Sequence, residues 1–192
     1  MSRRALAAPG ALALALALAT TGCVGSQPVG SATGLPRCAP EPAEVPRGLV
    51  LMAQSVPSAQ WLPCVRDVPV GWTFVAFDAR DGQTSLRLGS DREGMTALTV
   101  LVRPSCDVTG AAEVPSEWPE LRRYERVTRV SRGYGGERHY AFTGGCVTYR
   151  FDLRGDTRAE SVAVVSDAFG FVSRESVARQ VRDGSDGRLE LD

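Results

Sequence analysis

The side chains of this 192-residue chain that could do chemistry are five cysteines, a single histidine, and a run of arginines interleaved with tyrosines. The cysteines are Cys23, Cys38, Cys64, Cys106 and Cys146. None of their spacings is the close pair that zinc sites and thioredoxin-like redox motifs use. With Cys23 set aside the rest are even in number, as expected for disulfides in an exported chain. Sequence leaves the pairing open, and Cys38 with Cys64 and Cys106 with Cys146 is the favoured arrangement because each bridge would tie neighbouring segments.

The histidine, His139, would have to serve any serine or cysteine hydrolase that depends on an imidazole. It sits between Arg138 and Tyr140 in a strand-like stretch, so a surface or hairpin histidine is expected rather than a base. No G-x-S-x-G elbow, H-E-x-x-H pair, phosphate-binding Walker loop or glycine-rich dinucleotide turn occurs. A hydrolase built on two carboxylates remains the alternative, with Asp152 and Asp156 as candidates. The stretch "DGSDG" from Asp183 lacks the ligand alternation and closing Glu of a calcium loop and reads as a polar helix-ending turn.

The arginine run is "LRRYERVTRVSRGYGGERHY". Arg122, Arg123, Arg126 and Arg129, with Arg132, Arg138 and the tyrosines 124, 134 and 140, form a candidate anion-binding set: forked guanidinium groups on a phosphate or carboxylate, rings beneath a sugar. The opposing reading is a solvated strand face neutralised by Glu125 and Glu137, on which Arg126 and Arg129 point opposite ways. Trp118, in "SEWPE", is either a partner contact or a packed loop residue, whereas Trp61 and Trp72 read as core.

These residues must be positioned by the elements around them. From Val24 to about Pro46 the chain is rich in Gly, Ser, Pro and Ala and reads as a tether, and residues 47–192 read as one domain. "GLVLMAQ" from Gly48 is read as a short strand. "GWTFVAFDA" from Gly71 alternates, with Trp72, Phe74 and Ala76 on one face and Val75 and Phe77 on the other. A turn at Asp81-Gly82 leads to "TSLRLGS", with Leu86 and Leu88 inward, and "MTALTVLV" from Met95 follows. Gly110–Glu120 reads as a long surface connection, before strands over "YERVTRVS" and on both sides of a Gly144-Gly145 turn. Helices are expected over "TRAESVAVVSDAFG", with a Thr157–Glu160 capping box and Gly170 as its stop, and from Ser173 to Gly184. The expectation is an α+β fold: an antiparallel sheet of about six strands with C-terminal helices on one face and two disulfides.

Formal charge is balanced, and Lys, Asn and Ile are absent, which a GC-rich genome such as an actinobacterium's explains. Without Arg3 and Arg4 the chain carries twenty arginines against twenty-two acids, so nucleic acid is not an expected partner. No cofactor is expected.

The segment before Cys23 has the layout of an export signal: Arg3 and Arg4, then "ALALALALA" from Ala11, then the small residues "TTG". The apolar part is far shorter than the ~20 residues of a spanning helix. Leading straight into Cys23, it resembles the lipobox of bacterial lipoproteins, departing from it in carrying Thr20 where Leu is usual. The resemblance covers Ala11–Cys23 and implies that residues 1–22 are removed and Cys23 is acylated. Residues 23–46 then tether the domain to the extracytoplasmic face of the cell membrane. The expected function is a non-catalytic binding or accessory domain whose partners are membrane lipid through Cys23 and an envelope glycan, lipid or membrane protein.

Overall fold

The computed structural model describes residues 34–38, 47–156 and 158–191. Cys23, the signal-like segment, most of the tether and Thr157 of the expected capping box lie outside them. Twelve elements follow in order: α1 (Arg47–Ser55), β1 (Trp61–Val65), β2 (Trp72–Arg80), β3 (Gln83–Ser90), β4 (Gly94–Arg103), β5 (Ala112–Val114), β6 (Arg122–Arg129), β7 (Tyr134–Phe142), β8 (Gly145–Leu153), α2 (Arg158–Asp167), β9 (Phe169–Ser173) and α3 (Arg174–Gly184). None of the described helices is long and apolar enough to cross a membrane.

The sheet is larger than expected. Seven antiparallel strands run in the order β2-β3-β4-β8-β7-β6-β5, and β1 pairs with β9 in a separate two-stranded sheet. Part of the excess comes from Gly110–Glu120, expected to be unstructured, where β5 adds an edge strand to β6. Both favoured disulfides form, Cys38–Cys64 and Cys106–Cys146. The first fastens residues 36–38 alongside β1, where the Cys38 amide donates to the Val65 carbonyl and the Val65 amide to the Pro36 carbonyl.

Three local expectations are corrected. "GLVLMAQ" is the helix α1 and not a strand: Leu49, Met52, Ala53 and Val56 are fully or nearly fully buried and recur at the i, i+3, i+4, i+7 spacing of one helix face. In β2 strict alternation fails, because a bulge between Phe74 and Ala76 leaves Val75 unpaired. The extra residue shifts the later side chains to the opposite face, so Phe77 is buried beside Leu86 while Val75 is exposed. The β7–β8 turn is Thr143-Gly144, one residue earlier than expected, since Phe142 pairs with Gly145. Gly144 has a φ of 79°, and an added Cβ there would strike the Ser58 carbonyl, which explains why glycine occupies the turn.

The helices differ in their anchoring. Leu49, Met52, Ala53 and Val56 join one core cluster with Phe77, Leu86, Val100 and Tyr149 of the large sheet and Val177 and Val181 of α3. In α2 the buried residues are Ser161 and Val165, while Ala159 and Ala163 face solvent. Gly170 does not stop α2 but lies inside β9. At its start α2 is tied to the β3–β4 turn by Glu93, which is fully buried. One Glu93 carboxylate oxygen accepts from the Gly155 amide at 2.6 Å and the other from the Ser161 hydroxyl at 2.6 Å. Ser173 caps α3 by accepting from the Ser176 amide, and the "DGSDG" stretch closes it as read, with the Gly187 amide donating to the Arg182 carbonyl.

Candidate functional site: a polar cavity on an aromatic floor

The β6–β7–β8 part of the sheet has two working faces, because alternate residues of each strand project to opposite sides. On the inner face Tyr149 of β8 lies beside Arg138 of β7, which lies beside Glu125 of β6; one step along, Val147, Tyr140 and Arg123 form the next row. The outer face carries Cys146, Thr148, Arg150, His139, Glu137, Arg122, Tyr124 and Arg126. The run of arginines is thereby divided between faces.

Arg122, Arg123, Arg126, Arg129 and Arg138 each meet a carboxylate, whereas the exposed Arg132 makes no ion pair among the described residues. Arg122 chelates Glu113 through two hydrogen bonds of 3.1 and 2.9 Å and lies over the Tyr124 ring. Arg123 pairs with Glu117 at 3.0 Å and with Glu125. Arg126 pairs with Glu137 and donates to the Thr109 carbonyl at 2.8 Å. Arg129, past a bulge in β6, pairs with Asp152. Arg138 joins the inner group, donating to Glu125 at 2.6 Å and to Ser166 of α2 at 2.9 Å. The structure brings Arg123 and Arg138 together around Glu125 and leaves Arg122, Arg126 and Arg129 elsewhere.

Next to that inner group is a cavity of about 310 Å³ lined by Arg66, Glu117, Trp118, Tyr140, Ser166, Asp167 and Phe169. Its lining rings, Trp118, Tyr140 and Phe169, belong to an aromatic chain in which each ring packs on the next. Trp118 meets Phe171 edge-on at 5.5 Å, Phe171 meets Tyr140 at 5.1 Å, Tyr140 meets Tyr149 at 5.4 Å, and Tyr149 meets Phe169 at 5.3 Å. Thus Trp118, half-buried, is a packed loop residue that also presents a ring to the cavity. The Tyr140 hydroxyl donates to Glu117 at 2.5 Å. Burial works to raise the Glu117 carboxyl, but this bond together with Arg123 outweighs it and holds the group below the ordinary glutamate range. Tyr140 is correspondingly pushed up, by burial first and by Glu117 second, and stays a donor.

Arg66 differs from the other guanidinium groups around this cavity. It is exposed, lies 5.4 Å from the Trp118 ring centroid, and makes no ion pair among the described residues. Sequence reasoning passed over it because it stands far from the arginine run, in "CVRDV" after Cys64. What signal existed was its place beside that half-cystine.

The outer face holds His139. It is 3% exposed and therefore no surface histidine, although the hairpin position was anticipated. Nδ1 is 2.9 Å from the Thr148 hydroxyl, and Nε2 faces Glu137 at 3.6 Å. Burial pushes its pKa down, with Glu137 opposing. Asp152 is bound up with Arg129 and Arg154, Asp156 lies exposed in the loop after β8, and neither lines the cavity of Arg66. The chain matches no family model, no curated protein and no solved structure.

Proposed function

We propose that this chain is a lipoprotein, acylated at Cys23 and held at the extracytoplasmic face of the cell membrane, whose folded part binds an anionic, hydroxyl-bearing envelope component in the cavity of Arg66 without turning it over. The observation that carries this reading is that one cavity, lined by Trp118, Tyr140 and Phe169, holds both the unpaired Arg66 guanidinium and the ionised Glu117 carboxylate. Arg66 matches a phosphate or carboxylate on the ligand, Trp118 a sugar or polyol face, and Glu117 and Asp167 its hydroxyl donors.

Two further features support it. An added Cβ on Gly170 would stand 3.0 Å from Arg66 Nε and 3.2 Å from Cys38 Sγ, so the cavity lies beside the half-cystine at which the tether joins the folded body. Catalysis by two carboxylates calls for one that keeps its proton near neutral pH. Glu117, Glu125 and Glu137, the acids of the ion-pair lattice, are all held below the ordinary range and remain ionised.

The test is a tryptophan-fluorescence titration of the purified protein with glycerol phosphate and with glycerol. Saturable binding of the phosphate ester alone, weakened about tenfold or more in Arg66→Gln, is expected. Equal response to both, indifference to Arg66→Gln, or release of hydrolysed product overturns the reading. For the anchor, Cys23→Ala is expected to leave the membrane fraction, and unchanged fractionation would count against acylation.

A further inference from the structure

On the face of the β7–β8 hairpin opposite the cavity, Cys106, His139 and Cys146 gather three metal-ligand groups, with one donor atom from each within 4.8 Å of the other two. We infer that this is a redox-gated metal site: closed while Cys106 and Cys146 form a disulfide, and in the dithiol form binding Zn²⁺ through both sulfurs and the His139 imidazole. Among the described residues no other group of three or more His, Cys, Asp or Glu side chains brings its donors so close.

The orientation of the imidazole supports this assignment. Nδ1 contacts the Thr148 hydroxyl, and that hydroxyl lies 3.9 Å from Cys146 Sγ, which puts the Nδ1 edge of the ring on the sulfur side. The other ring nitrogen, Nε2, is buried and has no hydrogen-bond partner. A buried nitrogen in that condition is uncommon. It is accounted for if Nδ1 takes a metal, because the proton must then sit on Nε2, directly before the Glu137 carboxylate at 3.6 Å. Metal-bound histidines characteristically donate their second N–H to a carboxylate. Glu137 is itself held for that purpose by Arg126 and by Arg150, the latter at 2.9 Å.

Disulfide and metal exclude one another by geometry. Two thiolates on one tetrahedral zinc, each about 2.3 Å away, stand roughly 3.8 Å apart, whereas a disulfide holds its sulfurs about 2.05 Å apart. Opening that gap requires one cysteine to move, and Cys106 belongs to the irregular segment between β4 and β5, while Cys146 is 2% exposed on β8. Reduction takes two electrons and two protons from a dithiol donor. Its thiolate attacks the more accessible Cys106 sulfur and expels Cys146 thiolate; its second thiolate then releases Cys106 and leaves the donor as a disulfide. Zinc binding next displaces the two thiol protons to solvent.

The experiment uses the full-length chain in detergent, oxidised or reduced anaerobically with a phosphine, titrated with Co²⁺ and then Zn²⁺ while far-ultraviolet circular dichroism reports the fold. The oxidised protein is expected to stay silent. The reduced protein is expected to develop thiolate-to-cobalt absorption saturating near one ion per chain, which Zn²⁺ bleaches. Cys38→Ser/Cys64→Ser retains the band, Cys106→Ser/Cys146→Ser loses it, and Glu137→Gln weakens binding about 10- to 100-fold. No band in the reduced protein, folded or unfolded, overturns the inference. So does a band that survives loss of Cys106 and Cys146, or one that ignores His139→Gln, since two loose thiolates would then be the ligands.

Discussion

A single register row crosses the large sheet from Phe77 through Leu86, Val100 and Tyr149 to Arg138, Glu125 and Ala112. Its first half is hydrocarbon and aromatic, buried against α1 and α3; its second half is an ion pair half-open to solvent. Both ends carry a bulge in a flanking strand, β2 at Val75 and β6 between Val127 and Arg129, so regularity does not separate them. What changes is what covers the inner face. At the β2–β4 end a helical layer excludes water, so burial of apolar area stabilises the structure. At the β5–β7 end the cover is thin, arginines meet glutamates, and the gap between them and α2 becomes the cavity. A stable platform and a polar, accessible site thus occupy one continuous sheet, and the arginine run serves mainly to hold the polar end together.

That contrast can be broken by substitution. Leu86→Ala, in the buried half of the row, is expected to cost about 2–5 kcal/mol with little dependence on salt, as read from urea unfolding. A cost under about 1 kcal/mol would mean that the apolar end is not the platform. Removing the Cys38–Cys64 bridge, which closes a 26-residue separation, is expected to cost about 2–4 kcal/mol. Glu93→Ala, which leaves the half-buried Gly155 amide and the buried Ser161 hydroxyl without their acceptor, is expected to lose about 1–3 kcal/mol and to loosen α2 in hydrogen exchange. A smaller loss is expected for Glu125→Gln, with marked sensitivity to added salt, and none that can be measured for Arg122→Ala at the exposed edge.

Acid sharpens the comparison further. Glu125 and Glu137 are pulled upward by burial, but Arg123 and Arg138 on the first, and Arg126 and Arg150 on the second, bring both below their ordinary value of 4.5. Carboxyls depressed in the folded state stabilise it above their unfolded pKa, and the contribution disappears as pH falls through the folded one. Amide exchange is therefore expected to accelerate in β5–β7 as pH falls below about 4.5, while β3 and β4 stay protected. Simultaneous loss of protection at both ends would show that the sheet unfolds as one unit and that the polar end has no separate stability.

Much of the fold was legible. Tight turns such as Asp81-Gly82 carry their own chemistry, and runs of β-branched and aromatic residues between turn formers located β3, β4, β7 and β8. The reading failed where a short apolar run fits either period. "GLVLMAQS" has the i, i+3, i+4, i+7 pattern only when Val56 is included, so a window that stops at Gln54 sees a strand. Strict alternation also failed at Val75, where a bulge leaves no mark in residue type. Of the site, the arginine run was conspicuous and the residues that matter were not: Arg66, Glu117 and Asp167 come from three distant segments.

By itself the sequence determined the half-cystines, the turns, most strands and the sign of each local charge, because these depend on covalent type and on neighbours within a few residues. Only the tertiary structure decided which arginines of the run meet carboxylates, which acids stay ionised, and that His139 is buried against a disulfide. Those properties depend on distance and on exclusion of water between residues far apart in the chain, and neither exists until the sheet is assembled.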